Sequence, residues 1–254
     1  MTELNIAAYL ERIGMPSEIK VEPSYAFLRE VMYRQVTTIP YENLDILAGR
    51  ALSLSPEGLF EKMVTRRRGG FCFEVNALLS YVLKQIGFEV RDCFARFLKG
   101  ETELPARRHH VLAVTCPEGL YLADVGVGVR APRYPVKIEQ GLVQSQLDES
   151  YVFEKDEELG WILCEIRGGE RTRLFSFTTE LQLMSDFAPM SFFCEKHPDS
   201  IFNKTVMVAL KTADGRKTLN DREYKVFVGD TVTTIESNLS DEARAEILSR
   251  EFGL

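Results

Sequence analysis

The chain has 254 residues, 45% hydrophobic and 27% charged, which is enough apolar mass for one large core or two to three small ones. A formal net charge of -7 and a pI near 5.2 argue against nucleic acid or an anionic membrane surface as the main partner. The N-terminus shows no charged-then-apolar signal pattern and no apolar run approaches a membrane span, so a cytoplasmic protein is expected.

The first third reads as helices. Leu4, Ala8 and Ile13 fit a short N-terminal helix, and Leu28, Val31, Met32 and Val36 fit a second one after Ser24. The segment Ile39-Pro40-Tyr41-Glu42-Asn43-Leu44-Asp45 is expected to be extended, because proline disfavours helix in the residue before it. Ser55-Pro56 then opens another helix, a cap followed by proline at the first helical position. Val75, Leu78, Leu79, Val82, Leu83 and Ile86 fall at three-and-four spacing, with Gly87 placed to end that helix in a left-handed cap.

From Phe88 to about Gln182 the apolar period changes to two. Short runs at Glu89 to Phe97, Val111 to Thr115, Tyr121 to Val125, Tyr151 to Phe153 and Trp161 to Ile166 predict an antiparallel sheet or small barrel. A helix within Thr179 to Phe193, strands at Thr205 to Leu210 and Thr218 to Val228, a hairpin turn at Asp214-Gly215 and a Ser240-capped helix complete the chain. The fold class is therefore α+β. Three units are expected: a helical bundle over residues 1–87, a central antiparallel β-barrel over 88–190, and an α/β lid over 191–254.

The chemistry starts at Cys72, which follows Arg68-Gly69-Gly70-Phe71 and sits in the first turn of the most strongly patterned helix. There the macrodipole and unpaired backbone N–H groups favour the thiolate. The cysteines, at 72, 93, 116, 164 and 194, are odd in number and form no Cys-x-x-Cys pair, so reduced thiols are expected, with no disulfide framework and no metal site. A nucleophilic thiol needs a base and the base needs an orienting group. Of three histidines, His109 and His110 open an apolar strand that a Pro117-Glu118-Gly119 turn joins to Tyr121-Leu122-Ala123-Asp124. A hairpin centred near residue 117 makes His110 and Asp124 cross-strand neighbours with Cβ atoms within about 5.5 Å. A slip of one residue would bring His109 to the Asp124 side instead.

Arg68-Gly69-Gly70-Phe71-Cys72 resembles the arginine-glycine-glycine-x-cysteine signature of the arylamine N-acetyltransferases. Ile39 to Asp45, Phe94-Ala95-Arg96, His110, Asp124-Val125-Gly126-Val127-Gly128 and Pro198 to Phe202 are similar to further elements of that family, in the same order over most of the chain. The resemblance implies a papain-like Cys-His-Asp arrangement of Cys72, His110 and Asp124 in the three-unit fold. It implies ping-pong transfer of acetyl from acetyl-CoA, through a Cys72 thioester, to an arylamine, arylhydrazine or arylhydroxylamine. The Cys72 amide is the first candidate donor to the oxyanion.

By the same analogy Ala106, His109, Gly126, Gly128, Phe193, Asp199 and Ser200 approach coenzyme A, while Tyr41, Phe71 and Val127 line the acceptor site. Val127 stands where the family usually carries an aromatic, which predicts a roomier pocket. Arg66 and Arg67 are placed to steer an anion, and Arg68 to pair with a carboxylate such as Glu42. The partner expected is a small aromatic amine or hydrazine, with no nucleic acid and no membrane; a homodimer is allowed. The competing reading is a papain-like or transglutaminase-like hydrolase or amide acyltransferase using the same three residues.

Overall fold

The computed structural model describes residues 3–147, 149–229 and 231–254. Its first helices begin where side chains cap them. Asn5 accepts from the Ala8 N–H to open α1 (Ile6–Arg12), and Ser24 accepts from the Phe27 N–H to open α2 (Tyr25–Thr38). Pro40 follows α2, and the chain leaves it as β1 (Tyr41–Glu42) before turning into α3 (Leu44–Leu47). The extended segment expected through Asp45 is thus extended only in its first half. Ser55 caps α4 (Pro56–Phe60), whose continuation is a π-helical turn over Glu61–Thr65.

Next comes α5 (Cys72–Ile86), ended by Gly87 at φ 105. Val75, Leu78, Leu79, Val82 and Leu83 of α5 are at most 2% exposed and pack with Leu28, Val31 and Met32 of α2. Each such side chain contributes about 1.5–3 kcal/mol by burial, which makes α5 the centre of the helical unit.

Eight strands follow: β2 (Glu89–Phe97), β3 (His109–Cys116), β4 (Gly119–Ala123), β5 (Val136–Lys137), β6 (Gln144–Gln146), β7 (Glu149–Asp156), β8 (Gly160–Arg167) and β9 (Glu170–Phe177). Their antiparallel order is β5-β4-β3-β2-β9-β8-β7-β6, a nearly closed barrel. Two glutamine side chains bridge the remaining gap. The Gln144 amide pairs with both the N–H and the C=O of Lys137, at 2.7 and 2.9 Å, and Gln146 does the same to Tyr134 at 3.0 and 2.9 Å. Each amide imitates a strand's own donor and acceptor, which satisfies edge groups that would otherwise be unpaired.

Strand β3 is shared between two cores. Val111 and Ala113 point into the barrel, whereas Leu112 and Val114 join the helical core. This alternation sends the two histidines at its start in opposite directions.

The chain continues with α6 (Met184–Lys196), β10 (Val208–Lys211), β11 (Gly215–Leu219), β12 (Glu223–Val228), β13 (Thr231–Ser237) and α7 (Asp241–Ile247), the last capped by Ser240. The stretch read as one strand from Thr218 to Val228 is two, because the Asn220 carboxamide accepts from the Arg222 and Glu223 N–H groups and turns the chain. The sheet order β1-β10-β11-β12-β13 includes β1, so Tyr41 is fixed opposite Ala209 of β10.

Candidate active site

The loop before Cys72 is held by backbone and by charge. The Glu42 N–H donates to the Gly70 carbonyl and the Gly70 N–H to the Pro40 carbonyl, at 3.0 and 3.2 Å. A Cβ on Gly69 would stand 2.1 Å from the Pro40 oxygen, so this close approach requires glycine. Arg68 pairs with Glu42 at 2.9 Å and with Asp45 at 3.3 Å, the structural role its position predicts. Glu74 accepts from the Phe71 N–H at 3.2 Å and closes the first turn of α5.

Cys72 is 2% exposed at the start of α5. Burial pushes its thiol well above the usual range and the carboxylate of Asp124 adds to this, while backbone hydrogen bonds from His110 and Phe73 act the other way. Glycine brings the opposite wall against it: a Cβ on Gly126 would lie 2.8 Å from the Cys72 Cα and 2.6 Å from the Asn76 Nδ2. Gly126→Ala is therefore expected to force the two walls apart, costing about 1–3 kcal/mol of stability and most of the activity. Thermal unfolding and steady-state turnover of this one variant check both.

The β3–β4 register decides which histidine meets Asp124. Leu112 pairs with Ala123 and Cys116 with Gly119, so the hairpin turns on Pro117 and Glu118 and brings Val111 level with Asp124. His109 shares the Val111 face. Its Nε2 lies 2.7 Å from Asp124 Oδ2, and both side chains are fully buried. This corrects the assignment of His110, whose Nε2 lies 2.8 Å from Asp92 Oδ1 on the other face. It equally removes His109 from the coenzyme A contacts, since a ring with 0% exposure offers a cofactor no surface. The available signal was hairpin length: two-residue loops are the commonest, and such a loop at Pro117-Glu118 gives the observed register.

Asp124 is held from three sides. The Asn76 Nδ2 donates to its Oδ1 at 2.9 Å, and the Gly126 N–H donates to the same oxygen at 2.8 Å. Burial alone would raise this carboxyl, but the His109 ring, Asn76 and Gly126 outweigh it and hold it below the usual carboxylate range. Asn76, one turn beyond Cys72, also accepts from the Val125 N–H at 3.0 Å. Reading the sequence alone gave Asn76 no role, because its partners come from β3 and the segment after β4. The His109 Nδ1 is buried with no hydrogen-bond partner among the described residues. The ring lies against Phe97 at 4.9 Å and Phe175 at 5.4 Å.

Two cavities meet around this centre. A larger one, about 400 Å³, is lined by Cys72, Tyr41, Gly126, Val127 and Gly128 with Met207 to Ala209 from the segment around β10. A second, about 320 Å³, is lined by Phe193, Cys194, Asp199 and Ser200, and both share Phe97, Lys99, Ile201 and Phe202. Other expected contacts fall elsewhere. Ala106 is exposed and lines neither cavity, and Phe71 is fully buried behind the cysteine with its ring edge on Phe73 and Phe202. Asp199 sits on the rim with its N–H already donated to the His197 Nδ1. The cations at these cavities are Lys99, Arg130 and Arg108, not Arg66, which is largely exposed beside Glu61, nor Arg67.

Residues 24–254 match the model of a family described as N-acetyltransferase. The arylamine N-acetyltransferase of Mycolicibacterium smegmatis is 35% identical over 257 residues, covering 99% of this chain and 92% of that protein. That of Escherichia coli K12 is 30% identical over 89% of this chain and 81% of its own length. Among solved structures, the arylamine N-acetyltransferase of Salmonella typhimurium superposes with a TM-score of 0.94 at 26% identity, covering 100% of this chain and 92% of that one. The Mycobacterium marinum enzyme in complex with CoA gives 0.90 at 33% identity, covering 98% and 92%. The fold and its buried thiol, imidazole and carboxylate thus place the protein among the acyltransferases. The chain belongs to the arylamine N-acetyltransferase family.

Proposed function

We propose that the protein transfers acetyl from acetyl-CoA to a small aromatic amine or hydrazine in two steps, through a thioester on Cys72. The observation that carries this reading is the buried His109–Asp124 pair beside a helix-terminal thiol that opens into a cleft. Asp124 accepts a hydrogen bond from the Nε2–H and leaves Nδ1 free to serve the sulfur. A thiol this deeply buried does not ionise alone, so the proton passes to His109 as the sulfur attacks and the two charges form together.

In the first step the Cys72 sulfur adds to the acetyl carbon, the Cys72 N–H at the α5 terminus faces the developing oxyanion, and the coenzyme A thiolate leaves, taking the proton from His109. In the second the amine nitrogen adds to acetyl-Cys72 and gives its proton to His109; collapse expels the Cys72 sulfur and yields the amide. Phe97 and Phe175 shield the imidazole, so the acyl group meets amine in preference to water.

The cleft suits both substrates. Its wide, mostly apolar chamber beside Val127 and Tyr41 accepts an aryl ring, and Lys99, Arg108 and Arg130 supply positive charge where the phosphates of coenzyme A enter. The three-unit division and action in the cytoplasm belong to the same reading. Intact-protein mass after mixing with acetyl-CoA and no acceptor tests it. A single acetyl adduct is expected, absent in Cys72→Ala and discharged by an added arylamine. No adduct, together with no release of coenzyme A when an arylamine is present, overturns it in favour of peptide or amide donors.

A further inference from the structure

Asn43 is 1% exposed, and the chemistry above does not use it. It stands at the N-cap of α3, where an asparagine ordinarily accepts from an N–H of its own first turn, yet its side chain makes no such bond. Glu42 takes the Leu44 N–H instead, at 2.6 Å. The Asn43 amide is turned across to the connection between α6 and β10. Its Nδ2 donates to the Phe202 and Thr205 carbonyls, both at 2.8 Å, and its Oδ1 accepts from the Met207 N–H at 2.8 Å. Only this orientation of the amide suits all three, with two acceptors facing the nitrogen and one donor facing the oxygen.

The connection depends on such bonds. Apart from one 3-10 turn at Ile201–Asn203, residues 197–207 belong to no helix or strand, so side chains satisfy much of their backbone. The Ser200 hydroxyl donates to the Cys194 carbonyl at 2.6 Å and accepts from the Phe202 N–H at 3.2 Å, and Asp221 accepts from the Val206 N–H at 3.1 Å. Between these ends Asn43 binds three groups by itself. The same stretch walls the cleft: Ile201 and Phe202 line both cavities, and Val206 and Met207 line the chamber that opens on Cys72. On its other side Asn43 adjoins the support of the cysteine loop, because the Glu42 N–H meets the Gly70 carbonyl at 3.0 Å and the Glu42 carboxylate binds Arg68.

We propose that Asn43 is a positioning residue that sets how far the 201–207 wall stands from the Cys72 loop, and with it the fit of the acceptor amine in the chamber. The side chain lines neither cavity and meets no substrate. It acts through backbone: without the amide, Phe202, Thr205 and Met207 lose their partner together, and the wall between the two cavities is left to its ends. This role rests on the proposed use of the cleft by two substrates.

The test is steady-state kinetics and amide hydrogen exchange on Asn43→Ala. The KM for the arylamine is expected to rise about tenfold while kcat falls by less than about threefold, because the chamber still admits the ring but binds it less well. The peptide containing Met207 should exchange faster than in the wild type, whereas the peptide that begins at Cys72 keeps its protection. An unchanged KM overturns the proposal, and so does a loss confined to kcat, which reports only a smaller folded fraction. Should Asn43→Ala not fold, Asn43→Ser is read in its place by the same criteria. A wild-type Met207 N–H that exchanges as freely as an exposed turn overturns the proposal without any variant. A wild type that transfers no acetyl refutes the proposed function, and the exchange at Met207 then still decides whether Asn43 holds the wall.

Discussion

His109→Gln is expected to lower kcat/KM about 10³–10⁴-fold and to abolish the acetyl adduct on Cys72. Glutamine keeps a polar group near Asp124 but has no nitrogen able to accept the thiol proton. The loss corresponds to about 4–5.5 kcal/mol of barrier, the size expected when a proton acceptor and half of an ion pair disappear together. The thiol then stands alone in a site where burial already pushes it well above the usual range, so preferential alkylation of Cys72 near neutral pH should vanish with the activity. Replacing the neighbouring His110 by glutamine should cost far less, because its ring is bound to Asp92 on the other face of β3. Turnover and iodoacetamide rates measured on both variants decide the matter. If the losses are reversed between the two, the imidazole assigned here as base is the wrong one.

This contrast also marks where the sequence stops being informative. Ser24, Ser55, Ser240 and Gly87 announce helix ends because caps act within three residues, and each was legible without tertiary structure. Cys72 was legible for the same local reason: glycines, a thiol and an apolar helix follow one another directly. The histidine was not. Strands have a period of two, so a one-residue error at Pro117-Glu118 exchanges faces and hands the Asp124 partner from His109 to His110. Asn76, Asp92 and Phe97 carry no motif at all; their roles exist only once α5, β2 and β3 meet. Strand β13, exposed along nearly all its length, lacks the alternating apolar signal and was passed over for that reason.

Lys62→Met should destabilise the fold by about 3–5 kcal/mol at pH 8, of which the part due to the Glu74 charge, about 1.4 kcal/mol, disappears as the pH falls through about 7. Lys62 is 6% exposed, and its Nζ holds Glu74 at 2.8 and 3.0 Å and Asp45 at 3.0 Å. Asp45 keeps Arg50 and Arg68 when the lysine is gone, at 2.9 and 3.3 Å, but among the described residues Glu74 keeps only the Phe71 N–H. Burial already pushes the Glu74 carboxyl up to about 7 against the pull of Lys62. A carboxyl raised above its unfolded value, about 4.3, burdens the folded state only where it must ionise. That penalty is absent below the unfolded pKa and grows as pH rises through the folded one, and methionine removes the charge that offsets it.

Because Glu74 caps the helix that presents Cys72, activity should decline together with stability at the alkaline end. Urea unfolding of wild type and Lys62→Met at pH 5, 7 and 8 reads the deficit directly. A deficit constant across these values would mean that packing of the lysine stem, not the charge on Glu74, sets the loss. Adding Glu74→Gln to Lys62→Met should then separate the two causes: a buried carboxylate left unpaired is cured by the amide, whereas a packing defect is not.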